Sequence, residues 1–172
     1  MTSCPKCGFD YESVPVGGVA GRLRSYGSRY GEALAGVPDE LAARRPAPGV
    51  WSALEYACHV RDLLFVQRDR TVLALVQDCP QFPRMYRDER VDICAYGAQP
   101  AGTVAGQLAV GAELLALVFD HLRPDALERP LLYNFPDPTE RDVAWMGRHT
   151  VHECEHHLGD VRDVLGRAGG SR

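Results

Sequence analysis

This sequence contains no run of like charges, no second C-x2-C motif, no internal repeat and no convincing stretch of period-two alternation. Each absence excludes something. Arginines are scattered among Asp and Glu in a chain of formal net charge −4, which argues against a nucleic-acid surface. No uninterrupted apolar run approaches the roughly 20 residues that span a bilayer, and Met1-Thr2-Ser3-Cys4 lacks the basic and apolar regions of a signal peptide. A cytoplasmic protein with no membrane partner is therefore expected. In a reducing compartment its six cysteines read as thiols or metal ligands instead of a disulfide framework. The missing alternation predicts few strands, and 172 residues suit a single domain.

What the chain does have is histidine. Four of its six histidines lie between His149 and His157. No proline interrupts this region, and apolar residues recur through it at helical spacing, so Thr139 to Arg167 is predicted as one amphipathic helix. At about 100° per residue, Val143, Met146, Thr150, Val151, Cys154, Leu158, Val161, Val164 and Leu165 share the buried face. Glu153 and His157 stand on the shoulder of that stripe, one turn apart, whereas His152 points away from it. Donors at i and i+4 can share one metal ion because adjacent turns bring them into a single coordination sphere. His152 and His156 form an alternative pair with the same spacing; only the direction of the apolar face favours Glu153 and His157.

A third ligand must come from another element. His59 is the best candidate, set on the edge of the apolar face of a helix expected over Trp51–Val76. Asp62 and Asp160 follow His59 and His157 by three residues, where a carboxylate can orient the second ring nitrogen of a ligating imidazole. Further helices are expected over Val16–Val37 and Thr103–Leu122, with Gly27 and Gly31 permitting close packing in the first. The architecture expected is an all-α four-helix bundle with long inter-helix links, which builds metal sites from inward side chains on facing helices. The links, Cys79–Gln99 and Asp125–Thr139, are rich in proline and aromatics. Arg84, Arg87, Arg90, Arg141 and Arg148 are candidates for holding an anionic substrate or thiol. The bundle is expected to occupy residues 15–168, between an N-terminal tail over 1–14 and a disordered tail over 169–172.

Cys4-Pro5-Lys6-Cys7-Gly8 in that N-terminal tail has the form of half a zinc knuckle, the glycine letting the chain fold back. A separate structural zinc on Cys4 and Cys7 needs two more donors. Cys58, Cys79, Cys94, Cys154, His152 and His156 all remain open for that role.

Taken together, Trp51-Ser52 leading to His59 and Asp62, a link, a third helix, and then Glu153, His157 and Asp160 resemble the DinB/YfiT-like family of metalloenzymes, which includes the mycothiol-dependent maleylpyruvate isomerases. The resemblance spans about Val16 to Arg167. It implies that His59, Glu153 and His157 bind a divalent metal, zinc before nickel, and the trailing Asp160 selects His157 over His156. Many relatives carry His where this chain has Glu153, and the isomerase branch is similar in having Glu. By the same resemblance a low-molecular-weight thiol is the expected co-substrate, in a thiol S-transferase or isomerase reaction on a small molecule. Two alternatives stay open: a metal-dependent hydrolase, for which Glu55 or Glu155 would have to act as base, and a non-catalytic metal-binding or sensing bundle. A homodimer is compatible with the sequence.

Overall fold

The computed structural model describes residues 3–134 and 137–169. Four long helices make the frame: α1 (Val19–Leu34), α3 (Ala53–Val76), α5 (Ala101–Asp120) and α7 (Val143–Gly169). Short helices α2 (Asp39–Ala42), α4 (Arg87–Ile93) and α6 (Pro124–Leu127) punctuate the links. Around the bundle α1 packs on α5 and α7, and α3 packs on the same two, so α3 and α7 are direct neighbours. That adjacency is what matters for function.

Local chemistry sets the ends of these helices. Ser52 caps α3 by accepting from the Glu55 amide, while the Glu55 carboxylate accepts from the Ser52 amide at 2.7 Å, a reciprocal capping box. Arg45 completes the arrangement by donating to both Glu55 oxygens. Gly27 lies where α1 crosses α5 closely; a Cβ there would sit 3.1 Å from the Ala109 Cα, whereas Gly31 faces open space. The main core joins Leu23, Tyr26 and Tyr30 of α1 to Leu54, Leu64, Leu108, Leu115, Val151, Cys154 and Leu158. Of the stripe predicted on α7, Leu165 is only partly buried, and the other eight residues are buried.

Three expectations change. The links carry a small three-stranded sheet of order β1-β2-β3, comprising β1 (Gln81–Phe82), β2 (Pro130–Asn134) and β3 (Pro138–Asp142). β1 pairs parallel with β2, and β2 pairs antiparallel with β3. The strands are too short and proline-rich to show period two, and Thr139–Asp142, expected as helix, belong to β3, so α7 starts at Val143. Second, α5 is apolar and long enough to cross a membrane by length and composition alone, despite the polar residues that interrupt its sequence. In the fold its Val104, Leu108, Ala112 and Leu115 enter the main core. Third, the segment read as a tail folds onto the bundle. A bridge joins Ser3 to Asp10, Tyr11–Ser13 form a 3-10 turn, and Val14 is fully buried. At the other end Gly169 still belongs to α7, and residues 170–172 of the expected disordered tail lie outside the described residues.

Candidate metal centre

His59 of α3 meets Glu153 and His157 of α7 because the two helices pack side by side and the three positions face one another across the contact. One donor atom from each lies within 4.8 Å of the others. The His59 and His157 rings stand edge to face, with centroids 5.0 Å apart. Trp51 abuts His59 and Tyr56 stacks on His157, so aromatic surface walls the centre.

The protonation chemistry suits a cation. Burial pushes His59 down to about 3, which makes it a neutral donor at ordinary pH, and its Nδ1 is buried without a hydrogen-bond partner. Burial works to raise Glu153, but His152 and His157 outweigh it and hold the carboxyl well below its usual range. For His157 burial acts downward, and the carboxylates of Asp160 and Glu153 overcome it and raise the imidazole. Asp160 Oδ2 lies 2.9 Å from His157 Nδ1, which directs Nε2 of the same ring toward Glu153 Oε2 at 3.6 Å. That separation is long for a hydrogen bond and near the edge of about 3.3 Å between two donors each 2.0–2.1 Å from a tetrahedral ion. Two imidazoles and one carboxylate, with an orphaned buried nitrogen among them, fit a divalent metal.

Asp62 is placed differently from the sequence expectation. Its carboxylate accepts from Arg61, from Arg90 at 3.1 Å and from the Tyr96 hydroxyl at 2.6 Å, leaving the Nδ1 of His59 without a partner. Two guanidinium groups and a phenol outcompete a neutral imidazole for one partly buried carboxylate. Glu55 is committed to the cap of α3 and Arg45, and Glu155 to Arg29 and Tyr26, so neither faces the centre.

A cavity of about 200 Å³ opens beside the three donors and is lined by His59, Glu153, His149, Arg70, Arg84, Arg87 and Tyr133 among others. Its outer wall is the link from Pro83 to Glu89, where Tyr86 adopts a left-handed backbone (φ 51°) that turns the chain into α4. Arg90 is engaged by Asp62, Arg141 lies over Trp145, and Arg148 donates to the Val14 carbonyl, so of the five arginines considered only Arg84 and Arg87 line this cavity. Sequence reasoning gave no role to His149, Arg70 or Tyr133. His149 precedes Glu153 by one turn, and Arg70 follows His59 by three turns on nearly the same face, so spacing held the signal for both. Burial pushes His149 down to about 4, and its ring stacks on Trp145 with centroids 4.6 Å apart. Tyr133 comes from β2, and nothing in the sequence joined that strand to α3.

The alternative pair His152 and His156 faces elsewhere on α7, toward Cys4 and Cys7. Two smaller groupings, His149 with His152 and Glu153, and His156 with His157 and Asp160, reuse the same side chains. In the first, Tyr11 Oη already sits 2.9 Å from His149 Nδ1 and 3.1 Å from His152 Nδ1.

A bundle in which the second and last long helices pair to bring His59, Glu153 and His157 together defines a class, and the sequence agrees with it. The chain belongs to the DinB superfamily, whose model matches residues 23–161. Among solved structures it is similar to YfiT from Bacillus subtilis, described as a probable metal-dependent hydrolase with an unusual four-helix bundle topology. The TM-score is 0.78 at 14% identity, over 89% of this chain and 87% of that one. No curated protein matches the chain.

Proposed function

We propose that this protein is a metal-dependent enzyme in which His59, Glu153 and His157 hold one divalent ion, zinc before nickel, and in which a low-molecular-weight thiol of the mycothiol type attacks a small anionic electrophile. The observation that carries the reading is the convergence of three protein donors, two of which, His59 and Glu153, line an arginine-bearing cavity. Three protein donors leave coordination positions open, as catalytic sites do and structural sites do not. A divalent ion there supplies Lewis acidity, lowering the pKa of a nucleophile beside it and polarising the electrophile.

The chain's own residues supply the remainder. Arg70, Arg84 and Arg87 bring positive charge to the cavity that receives the substrate. Asp160 fixes the tautomer of His157, and the rings of Trp51 and Tyr56 keep water from the back of the centre. A second reading, hydrolysis with water as the nucleophile, draws support from the description of YfiT. A non-catalytic sensing bundle would call for a fourth protein donor, and the set around His59 has three among the described residues.

The test is metal-loaded protein incubated with a thiol and a panel of small unsaturated or activated carboxylates, with products followed by mass spectrometry. Thiol-dependent product with the native chain and none with His59→Ala is the expected result. Product that forms equally without thiol and carries water oxygen moves the assignment to hydrolysis. No turnover of any substrate by fully loaded protein would leave a binding bundle and defeat the enzyme reading.

A further inference from the structure

The N-terminal turn and the outer flank of α7 hold a second group of donors that the bundle site does not use. Cys4, Cys7, His152 and His156 each offer an atom within 4.8 Å of the others. We infer that these four residues form a structural zinc site, separate from the bundle centre, which clamps residues 3–13 onto α7. The halves have the spacing of a Cys2His2 site, C-x2-C on a turn and H-x3-H on a helix. Here three of the four long helices, α1, α3 and α5, lie between them in the sequence.

Four features of the geometry support zinc. First, His152 is 8% exposed, yet its Nε2 is buried without a hydrogen-bond partner. A buried ring nitrogen left unpaired is costly unless a ligand completes it. Second, Cys4 Sγ lies 3.9 Å from His156 Nδ1, close to the edge of about 3.6 Å between sulfur and nitrogen on one tetrahedral zinc. Third, the opposite nitrogen of each ring faces a carboxylate: His152 Nδ1 is 3.3 Å from Glu153 Oε1, and His156 Nε2 is 3.8 Å from Asp160 Oδ2. Ligating imidazoles are ordinarily oriented by such partners. Fourth, the turn is shaped as a knuckle: Gly8 has φ +73°, its amide donates to the Cys4 carbonyl, and the amides of Lys6 and Cys7 face the Cys4 sulfur.

Charge balances as well. Binding Zn²⁺ displaces the two thiol protons, and two thiolates with two neutral imidazoles then make an uncharged centre suited to a half-buried place. Four protein donors fill a tetrahedron, so the site is structural. What it holds in position is visible: Phe9 and Tyr11 pack on the His152 ring, and Tyr11 reaches His149 beside the cavity. Cys4 and Cys7 lie before residue 23, where the superfamily match begins, and His152 and His156 lie within it.

Cobalt substitution of the full chain tests this, because only a cysteine-ligated ion gives an intense thiolate-to-cobalt charge-transfer band. The native chain is expected to bind two cobalt ions and show the band. The double variant Cys4→Ser/Cys7→Ser should lose the band and one ion, and His59→Ala should lose one ion and keep the band. His156→Ala should weaken cobalt binding in the band-bearing site at least tenfold, whereas His156→Cys, with a third thiolate, should keep the ion and strengthen the band. That rescue separates ligation from a packing role should the alanine variant fold poorly. A single ion with no sulfur band overturns the clamp and leaves the bundle reading standing. A single ion with the band, indifferent to His59→Ala, does the reverse. A band unchanged in both His152→Ala and His156→Ala shows that the thiolates find other partners and also overturns the proposal.

Discussion

Glu153 Oε1 lies 3.3 Å from His152 Nδ1, although the two residues serve different faces of α7. The other oxygen of the same carboxylate is 3.6 Å from His157. One side chain therefore spans the ridge between the bundle centre and the cysteine-bearing flank, and Asp160 does likewise for His157 and His156. The two donor groups are back to back on one helix and share their carboxylates.

This arrangement separates the histidine variants. Glu153→Ala and His157→Ala are expected to empty the bundle site, as is His59→Ala, with metal content measured in a Cys4→Ser/Cys7→Ser background after dialysis against a weak chelator. His152→Ala should leave that ion in place, apart from a modest loss of affinity as Glu153 loses a partner. Retention of the bundle ion in His157→Ala with its loss in His152→Ala would reverse the assignment.

Tyr11→Phe removes the hydroxyl between His149 Nδ1 and His152 Nδ1 and leaves buried ring nitrogens with one partner fewer. The expected cost is about 1–3 kcal/mol of stability, read from urea unfolding. A variant as stable as the native chain would show that water or the neighbouring rings replace the hydroxyl freely.

Glu55 gives a pH dependence through a carboxylate bound to Arg45 and the Ser52 amide and turned away from the metal centre. Burial works to raise its carboxyl, but Arg45 and the Ser52 amide outweigh it and lower the value below the ordinary range. A depressed folded value means that the group contributes stability fully above its unfolded pKa of about 4.3, and that this is lost as pH falls through the folded value. Glu55→Gln should therefore lower the urea midpoint at pH 7 and flatten its fall below about pH 4.3. Parallel native and variant curves across the acid range would remove Glu55 as a cause. Ser52→Ala, which deletes the other half of the cap, should cost about 1 kcal/mol.

Gly27→Leu would drive a side chain into Ala109, whose Cα would lie 3.1 Å from the new Cβ. Overpacking of this kind costs about 1–3 kcal/mol, and the rigid partner here is backbone. Gly31→Leu, facing open space, should be neutral or slightly stabilising through helix propensity. Equal unfolding midpoints for the two variants would deny the close α1–α5 contact.

The sequence by itself determined the long helices and the direction of α7, because a period of 3.6 over 16 to 27 residues is a repeated measurement of one face. It placed Val151, Cys154 and Leu158 in the core and thereby set Glu153 and His157 on the shoulder of that face. It could not determine partners between elements, since side-chain period says nothing of which helix lies alongside. Only the tertiary structure decided that Asp62 serves Arg61, Arg90 and Tyr96 instead of His59, because that choice depends on a link that folds back over α3. The short strands escaped notice for a related reason: two to five residues are too few for a period, and their pairing joins distant segments. The sequence left six donors open as partners for Cys4 and Cys7. Cys154 is sealed in the core and Cys58 is buried beside Tyr96, while the turn itself lies against the flank of α7 that carries His152 and His156. That choice rests on how residues 3–13 pack across the helix, a contact between the two ends of the chain that no local pattern encodes.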